Sequence, residues 1–435
     1  MSVSTLPPAA IGAHVPATLA PVSPRRAKAE RNHGERWAVI SMVVAVAMMP
    51  MAIPRGPQNL APADLFIGIA VTACFAWAVA SRWRCRFPFA LAMCVFMAAG
   101  AIAAFVGPVP SGGVVAILQD FELLVWCWAL VNIASSPQRL RALLATWSYS
   151  SIVWTALLLV GLVTTTHFLT GQTDAEGSRT SLTFFDPNYS ANYYFISIMV
   201  IWASRTPRRR AFRVLAYTML VVALVSTGSN SGMLALLLGT GIAATLGVYQ
   251  RRGEAAALAM ACFALVGGFF LVSNLSLKTI QEQAHGSPYP VIRDGLGRSG
   301  ASVAERSKVL HESIRLFWQE GPLGEGPTST KVRLQHGMAP YVKEAHDDYF
   351  AAVMERGVIG GIGLMLLIGG LIVYASPLVT GRVKPGFREV LVRPNAIIGA
   401  LAGTLVAQAV YELLHVRHIW VLYAIVAAVY LWGRE

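Results

Sequence analysis

Charge is what this chain has least of. Only 13% of its 435 residues are Asp, Glu, Lys or Arg, where a soluble domain carries about 25%. With 55% of residues hydrophobic, the deficit excludes a water-soluble globular protein and leaves one whose side chains face lipid. Cysteine is scarce as well. Cys74, Cys85, Cys94, Cys127 and Cys262 form no Cys-x-x-Cys pair, and none falls in the longest polar stretch. A disulfide framework and a thiolate metal site are thereby excluded. No Walker or dinucleotide glycine fingerprint occurs, so the chain carries no recognisable nucleotide cradle. The one excess is positive, a net charge of +13. It calls for no nucleic-acid partner, because arginines retained in cytoplasmic loops produce the same surplus.

Long apolar runs fill the chain instead. A spanning helix needs about 20 mostly apolar residues, and candidates fall near 37–53, 64–80, 88–107, 114–134, 142–165, 188–204, 212–227, 233–249, 255–274, 349–375, 394–414 and 418–433. They predict an all-α polytopic membrane protein of about 12 transmembrane helices, with one large extracytoplasmic loop containing an amphipathic helix. The expected divisions are a disordered basic cytoplasmic tail over 1–36, helices one to nine over 37–274, the large loop over 275–348 and helices ten to twelve over 349–435. The run at Trp37 reads as the first spanning helix, since no small-residue cleavage site follows it.

Orientation follows from the arginines. With the amino terminus cytoplasmic, 22 of the 35 Lys and Arg fall in the tail, the short inner loops and the carboxyl end. Every short loop rich in arginine then lies inside, as the positive-inside rule requires. The protein is expected in the cytoplasmic (inner) membrane, both termini inside and the large loop outside. No ATP or nucleotide sugar is available on that face, so a transfer reaction there must use a substrate already activated in the membrane.

Several outer features carry chemistry. In the smaller loop, Gly177-Ser178-Arg179 leads to Asp186-Pro187-Asn188. The Asp-Pro-Asn run is turn and N-cap chemistry; Arg179 either meets a phosphate bidentately or is simply solvated. The turn Ser226–Gly232, with Asn230 within it, offers backbone N–H groups to an anion, and helix capping explains it equally well. In the large loop Val309, Leu310, Ile314, Phe317 and Trp318 recur at helical spacing. Arg306 at the start of this amphipathic helix and Arg315 within it are candidate phosphate ligands, and Gly321–Pro327 ends it.

His346 stands just before the next apolar run, beside Glu344, Asp347 and Asp348. Histidine titrates near neutrality and can take a proton from an attacking hydroxyl; a capping role is the alternative. Without spaced partners it makes a poor metal ligand, so no metal is expected. Gln119, Asp120 and Glu122 on the fourth helix and Glu412 on the eleventh are costly in lipid and mark interior or functional positions. Glu412, His415, Arg417 and His418 are expected to line the same cavity as His346.

Over roughly 177–433, and best between Arg306 and Gly361, the chain resembles the O-antigen ligase and polymerase superfamily of bacterial membrane glycosyltransferases. The resemblance rests on Arg306 opening an amphipathic helix, the turn Pro322-Leu323-Gly324-Glu325-Gly326, and His346-Asp347 followed by Gly357-Val358-Ile359-Gly360. Asp186-Pro187-Asn188 and Arg417-His418-Ile419-Trp420 add to it. Two positions depart from the family pattern. Asp347 stands where Asn, Ser or Gln is usual, and Asn230 where the family turn has an arginine thought to hold the donor diphosphate.

The resemblance implies transfer of a glycan from a polyprenyl (undecaprenyl) diphosphate carrier to an acceptor hydroxyl, on a glycan or lipid, outside the cytoplasmic membrane and without metal or cofactor. His346 is then the base. Arg306, with Arg179, stabilises the departing diphosphate, and Arg315, Asn230 and Asp347 join the substrate contacts. Two readings from other classes compete: a transporter or flippase of lipid-linked sugars, and a non-catalytic assembly partner. No convincing internal repeat is present, which disfavours the transporter.

Overall fold

The structure is a computed structural model and describes residues 24–53, 60–173, 177–274, 277–288, 293, 311–312, 314–315, 318, 321–330, 332 and 347–435. Each apolar run coincides with a helix. In chain order these are α1 (Pro24–Met48), α2 (Pro62–Ser81), α3 (Ala90–Val106), α4 (Pro110–Ile133), α5 (Pro137–Thr164), the short α6 (His167–Thr170), α7 (Pro187–Ser204), α8 (Arg210–Ser226), α9 (Asn230–Arg252) and α10 (Glu254–Asn274). There follow α11 (Leu277–His285), α12 (Asp348–Thr380), α13 (Pro385–Val390), α14 (Pro394–Gln408) and α15 (Arg417–Gly433). Among the described residues the one strand-like feature is an isolated bridge between Val383 and Arg434. Five helices, α2, α4, α5, α9 and α12, are long and apolar enough to cross a membrane; α3, α15 and the first part of α10 are apolar but shorter. The chain is an all-α membrane protein.

Local chemistry sets the helix boundaries. Proline opens α2, α4, α5, α7, α13 and α14, at the position where its missing N–H costs nothing. Side-chain oxygens cap four helices: Ser136 accepts from the Arg139 N–H, Asp186 from Asn188, Ser229 from Gly232, and Asp347 from both Tyr349 and Phe350. The helix α1 starts at Pro24, ahead of the apolar run at Trp37, because Ala, Lys, Glu and Arg over 25–36 are good helix formers.

Aromatic residues fill the centre. Trp126, Trp147, Tyr193, Tyr194, Trp420 and Tyr423 are all under 2% exposed. The outward faces are apolar too, with Phe105 88% and Val163 86% exposed, as lipid-facing surfaces are. Small residues bring helices together: a Cβ added at Gly239 of α9 would lie 2.6 Å from the Gly399 carbonyl oxygen of α14, the close approach typical of membrane helices.

The bundle has two unlike ends. At one, Asn132 bonds the Arg86 backbone in both directions at 2.9 Å, Lys384 N–H reaches the Gly433 carbonyl at 2.7 Å, and Arg393 N–H reaches that of Ala203 at 3.0 Å. The arginine-bearing short loops gather here. At the other end Thr180 N–H meets the Ser226 carbonyl at 3.1 Å, Asp348 accepts from Leu413 and Leu414, Tyr411 donates to Asp186, and Arg417 pairs with Asp64. The stretch 321–330 of the large loop packs at this second end.

Candidate functional site at a break in helix α12

The helix α12 is not one continuous helix. At Gly357 the backbone turns to φ 66°, ψ −172°, which interrupts the helical ladder and strands carbonyls before the break and N–H groups after it. The turn Pro322–Gly326 takes up these groups. Glu325 N–H donates to the Met354 carbonyl (3.3 Å), Gly326 N–H to Glu355 (2.8 Å), and Val358 N–H to the Pro322 carbonyl (2.9 Å). The fit needs glycine on both sides. A Cβ at Gly357 would sit 2.5 Å from the Leu323 carbonyl carbon, and one at Gly324 2.8 Å from that of Glu355. The Pro-Leu-Gly-Glu-Gly motif is thus the strap that satisfies a broken membrane helix, in keeping with the rule that irregular backbone at this depth must be buried in protein or line a cavity.

Beside the break lies a cavity of about 420 Å³. Asp120 and Gln119 of α4, Asp348, Glu355 and Arg356 of α12, and Glu412 and His415 of the α14–α15 connection border it. Arg356 and Asp120 form a buried ion pair at 2.6 Å. The guanidinium also lies 4.0 Å over the Phe96 ring, and its Nη1 makes no hydrogen bond among the described residues. Asp348 accepts from two consecutive backbone N–H groups, Leu413 at 2.8 Å and Leu414 at 2.9 Å, which fixes the connection that carries Glu412 and His415. The His415 Nε2 is 2.8 Å from the Tyr189 hydroxyl. Four carboxylates, an amide, the Thr328 hydroxyl, the His415 imidazole and the Arg356 guanidinium line the space. Carboxylates accept hydrogen bonds from hydroxyls through several lone pairs, so the described wall suits a polyhydroxylated ligand.

Of the four residues expected beside His346, Glu412 and His415 do line this cavity. His418 does not: it is 1% exposed, 3.1 Å from Asn192 Oδ1 and wedged against Phe184 and Tyr193. Arg417 instead grips Asp64 through two nitrogens. Of the polar residues singled out in apolar runs, Gln119, Asp120 and Glu412 border this cavity, and Glu122 borders a different one beside Asp64. The same signal was available at Arg356, but the helical periodicity of α12 concealed the break that turns it inward.

The remaining described candidates do not line the cavity. His346 and Arg306 lie outside the described residues. Asp347 caps α12, and burial pushes its carboxyl above the usual range, against the lowering effect of the Phe350 and Tyr349 N–H groups. Arg179 is 6% exposed and donates from Nε to the Thr227 carbonyl at 2.8 Å, so the smaller loop is clamped onto the α8–α9 turn. Ser229 Oγ, bonded to Asn188 Oδ1 at 2.7 Å, ties the same two segments. Asn230 follows as the exposed first residue of α9. In the expected amphipathic helix His311, Glu312, Ile314, Arg315 and Trp318 are helical. There Arg315 Nε bonds Glu312 at 2.9 Å, and this lowers the Glu312 carboxyl pKa. No group of His, Cys, Asp and Glu among the described residues has the arrangement of a metal site.

Fold and cavity together define an all-α membrane protein with a carboxylate-rich chamber at one end of its bundle, built on a strapped break in a helix. Residues 214–365 match the family described as O-antigen ligase, a stretch that includes the Ser226–Gly232 turn, the strap and the break. The match supports the resemblance to the O-antigen ligase superfamily over that stretch. The matched domain indicates an O-antigen ligase-like function in surface polysaccharide assembly, and the family's substrates are in general lipid-linked glycans. No curated protein matches the chain.

Proposed function

We propose that this protein is an integral membrane glycosyltransferase that moves a glycan from a polyprenyl (undecaprenyl) diphosphate carrier to an acceptor hydroxyl on the outer face of the cytoplasmic membrane. The observation that carries the reading is the cavity beside Gly357. It is rich in hydroxyl-binding groups, it lies at the end of the bundle away from the arginine-rich loops, and Asp348 of its wall stands two positions after His346 in the chain. In the proposed reaction His346 accepts the proton of the acceptor hydroxyl as that oxygen attacks the anomeric carbon. The bond to the carrier phosphate breaks with inversion, and Arg306 and Arg179 stabilise the charge that develops on the departing diphosphate. Arg315, Asn230 and Asp347 complete the substrate contacts. The carboxylates of the cavity orient sugar hydroxyls, and the phosphate end is left to the cations. The chemistry asks for no metal or cofactor. About 12 spanning helices, with both termini cytoplasmic, complete the picture.

The break in α12 is also a feature of transporters, whose substrate sites sit at discontinuous helices, and it favours a flippase of lipid-linked sugars as the second reading. Proteoliposomes holding the purified chain, a polyprenyl diphosphate oligosaccharide and an acceptor glycan separate the two. A transferase yields lengthened or newly anchored glycan and free polyprenyl diphosphate. A flippase yields intact lipid-linked glycan redistributed between leaflets and no new glycosidic bond. Within the transferase reading, deletion of the gene distinguishes two activities: single units on lipid indicate a polymerase, long chains stranded on lipid a ligase.

A further inference from the structure

The arginine-rich end of the bundle contains cavities that the transfer reaction does not use. One, of about 550 Å³, opens between α7, α8, α9 and the start of α14; Trp202, Val214 and Tyr217 form an apolar wall and Arg205, Arg210, Arg213 and Arg393 border its polar part. A second, of about 300 Å³, shares Arg205 and Arg213 with the first and adds Arg141 and Arg208, with Glu389 as its one carboxylate. The arrangement is built and not merely crowded. Arg213 Nη1 donates to the carbonyls of Pro207 (2.8 Å) and Arg208 (2.6 Å), which holds the α7–α8 turn in shape. The Arg393 N–H bonds the Ala203 carbonyl at 3.0 Å and joins the start of α14 to the end of α7. Among the described residues none of Arg205, Arg208, Arg210, Arg213 and Arg393 pairs with a carboxylate.

Arg213 and Arg393 are half-buried and Arg205, Arg208 and Arg210 exposed; like charges gathered around one crevice repel unless an anion joins them. Desolvation, and then the neighbouring Arg205, push the Arg393 pKa down, with Arg251 and Arg213 adding to the effect and Tyr217 opposing it. Retention of arginine in inner loops accounts for their number but gives no reason for them to ring a crevice with a tryptophan and tyrosine wall. Guanidiniums match phosphate oxygens in a planar, bidentate fork. Basic pockets between membrane helices are where lipid headgroups bind.

We propose that this crevice binds an anionic phospholipid, with its headgroup phosphate held by Arg205, Arg210 and Arg393 and an acyl chain laid along the Trp202–Tyr217 wall. The inference is independent of the transferase reading, because the crevice and the cavity at Gly357 lie at opposite ends of the bundle.

The test is native mass spectrometry of the full chain in detergent, titrated with phosphatidylglycerol, phosphatidylcholine and inorganic phosphate. The wild type retains phosphatidylglycerol in preference to phosphatidylcholine. Arg205→Gln/Arg393→Gln binds it roughly 30-fold more weakly, as expected for two basic residues near a charged headgroup, while the double Lys variant keeps most of the affinity. Should the double Gln variant not fold, Arg210→Gln, at an exposed position, is expected to weaken binding several-fold. Equal retention of both lipids, an unchanged affinity in the Gln variants, or displacement by inorganic phosphate at millimolar concentration each overturns the proposal, the last by making the ligand a free phosphate.

Discussion

The Asp120–Arg356 pair shows what a buried charge costs and what it holds. Both side chains are about nine-tenths buried, and in such surroundings removal of one partner strands the other, at a cost of about 3–5 kcal/mol. Arg356→Met is therefore expected to lower the melting temperature of the detergent-solubilised protein by several degrees, and the double variant Asp120→Asn/Arg356→Met to recover much of the loss. Additive losses in the double variant would show that the pair does not interact. Asp347 gives a test in pH. Its folded pKa is raised, so the folded state binds the extra proton. The stability it contributes is whole below the ordinary carboxylate range and is lost as pH rises through the folded pKa. Asp347→Asn keeps an oxygen for the cap and abolishes the titration. Variant and wild type should melt together at about pH 3, below the ordinary Asp pKa, and the variant should become the more stable as pH rises; a wild type that gains on the variant contradicts the assignment. At this scale the sequence reveals which residues are costly but not what meets them. Asp120 and Glu412 are legible because charge in an apolar run needs a reason. The burial of Arg179 is not, because it depends on Thr227, 48 positions away in the chain.

At the scale of elements, helix positions were legible and helix continuity was not. Apolar runs, proline at the first turn and Ser or Asp caps locate most of the helices within a few residues; α1 is the exception, beginning at Pro24 inside the stretch expected to be a disordered tail. The break at Gly357 left no such trace, since Gly-x-x-Gly is ordinary in membrane helices and the partner that makes the break stable is a loop. The strap predicts its own failure. Gly357→Ala must hold φ 66° with a Cβ driven against Leu323; the backbone strain alone costs about 1 kcal/mol or more. The expected result is faster amide hydrogen exchange at Glu325, Gly326 and Val358 together with loss of glycan transfer. Unchanged protection at all three would mean that the strap is not held by the break.

For the whole molecule, the distribution of arginine carried most of the information. The structure gathers the arginine-bearing loops at one end and the candidate cavity at the other, an arrangement on which the proposed orientation depends. Cysteine-scanning in right-side-out vesicles tests it: Asn230→Cys should react with an impermeant maleimide from outside, and Ser136→Cys only after the membrane is opened; the reverse pattern inverts the topology. The central claim is that a glycan is transferred at the cavity end with His346 as the base. The most direct measurement is the rate of glycan transfer from a polyprenyl diphosphate donor by purified His346→Ala protein, with wild-type melting temperature as the control for folding. Loss of a base acting in the transition state costs about 10²–10⁴-fold, and the account predicts a fall of that size. Transfer at the wild-type rate by the folded variant would contradict it.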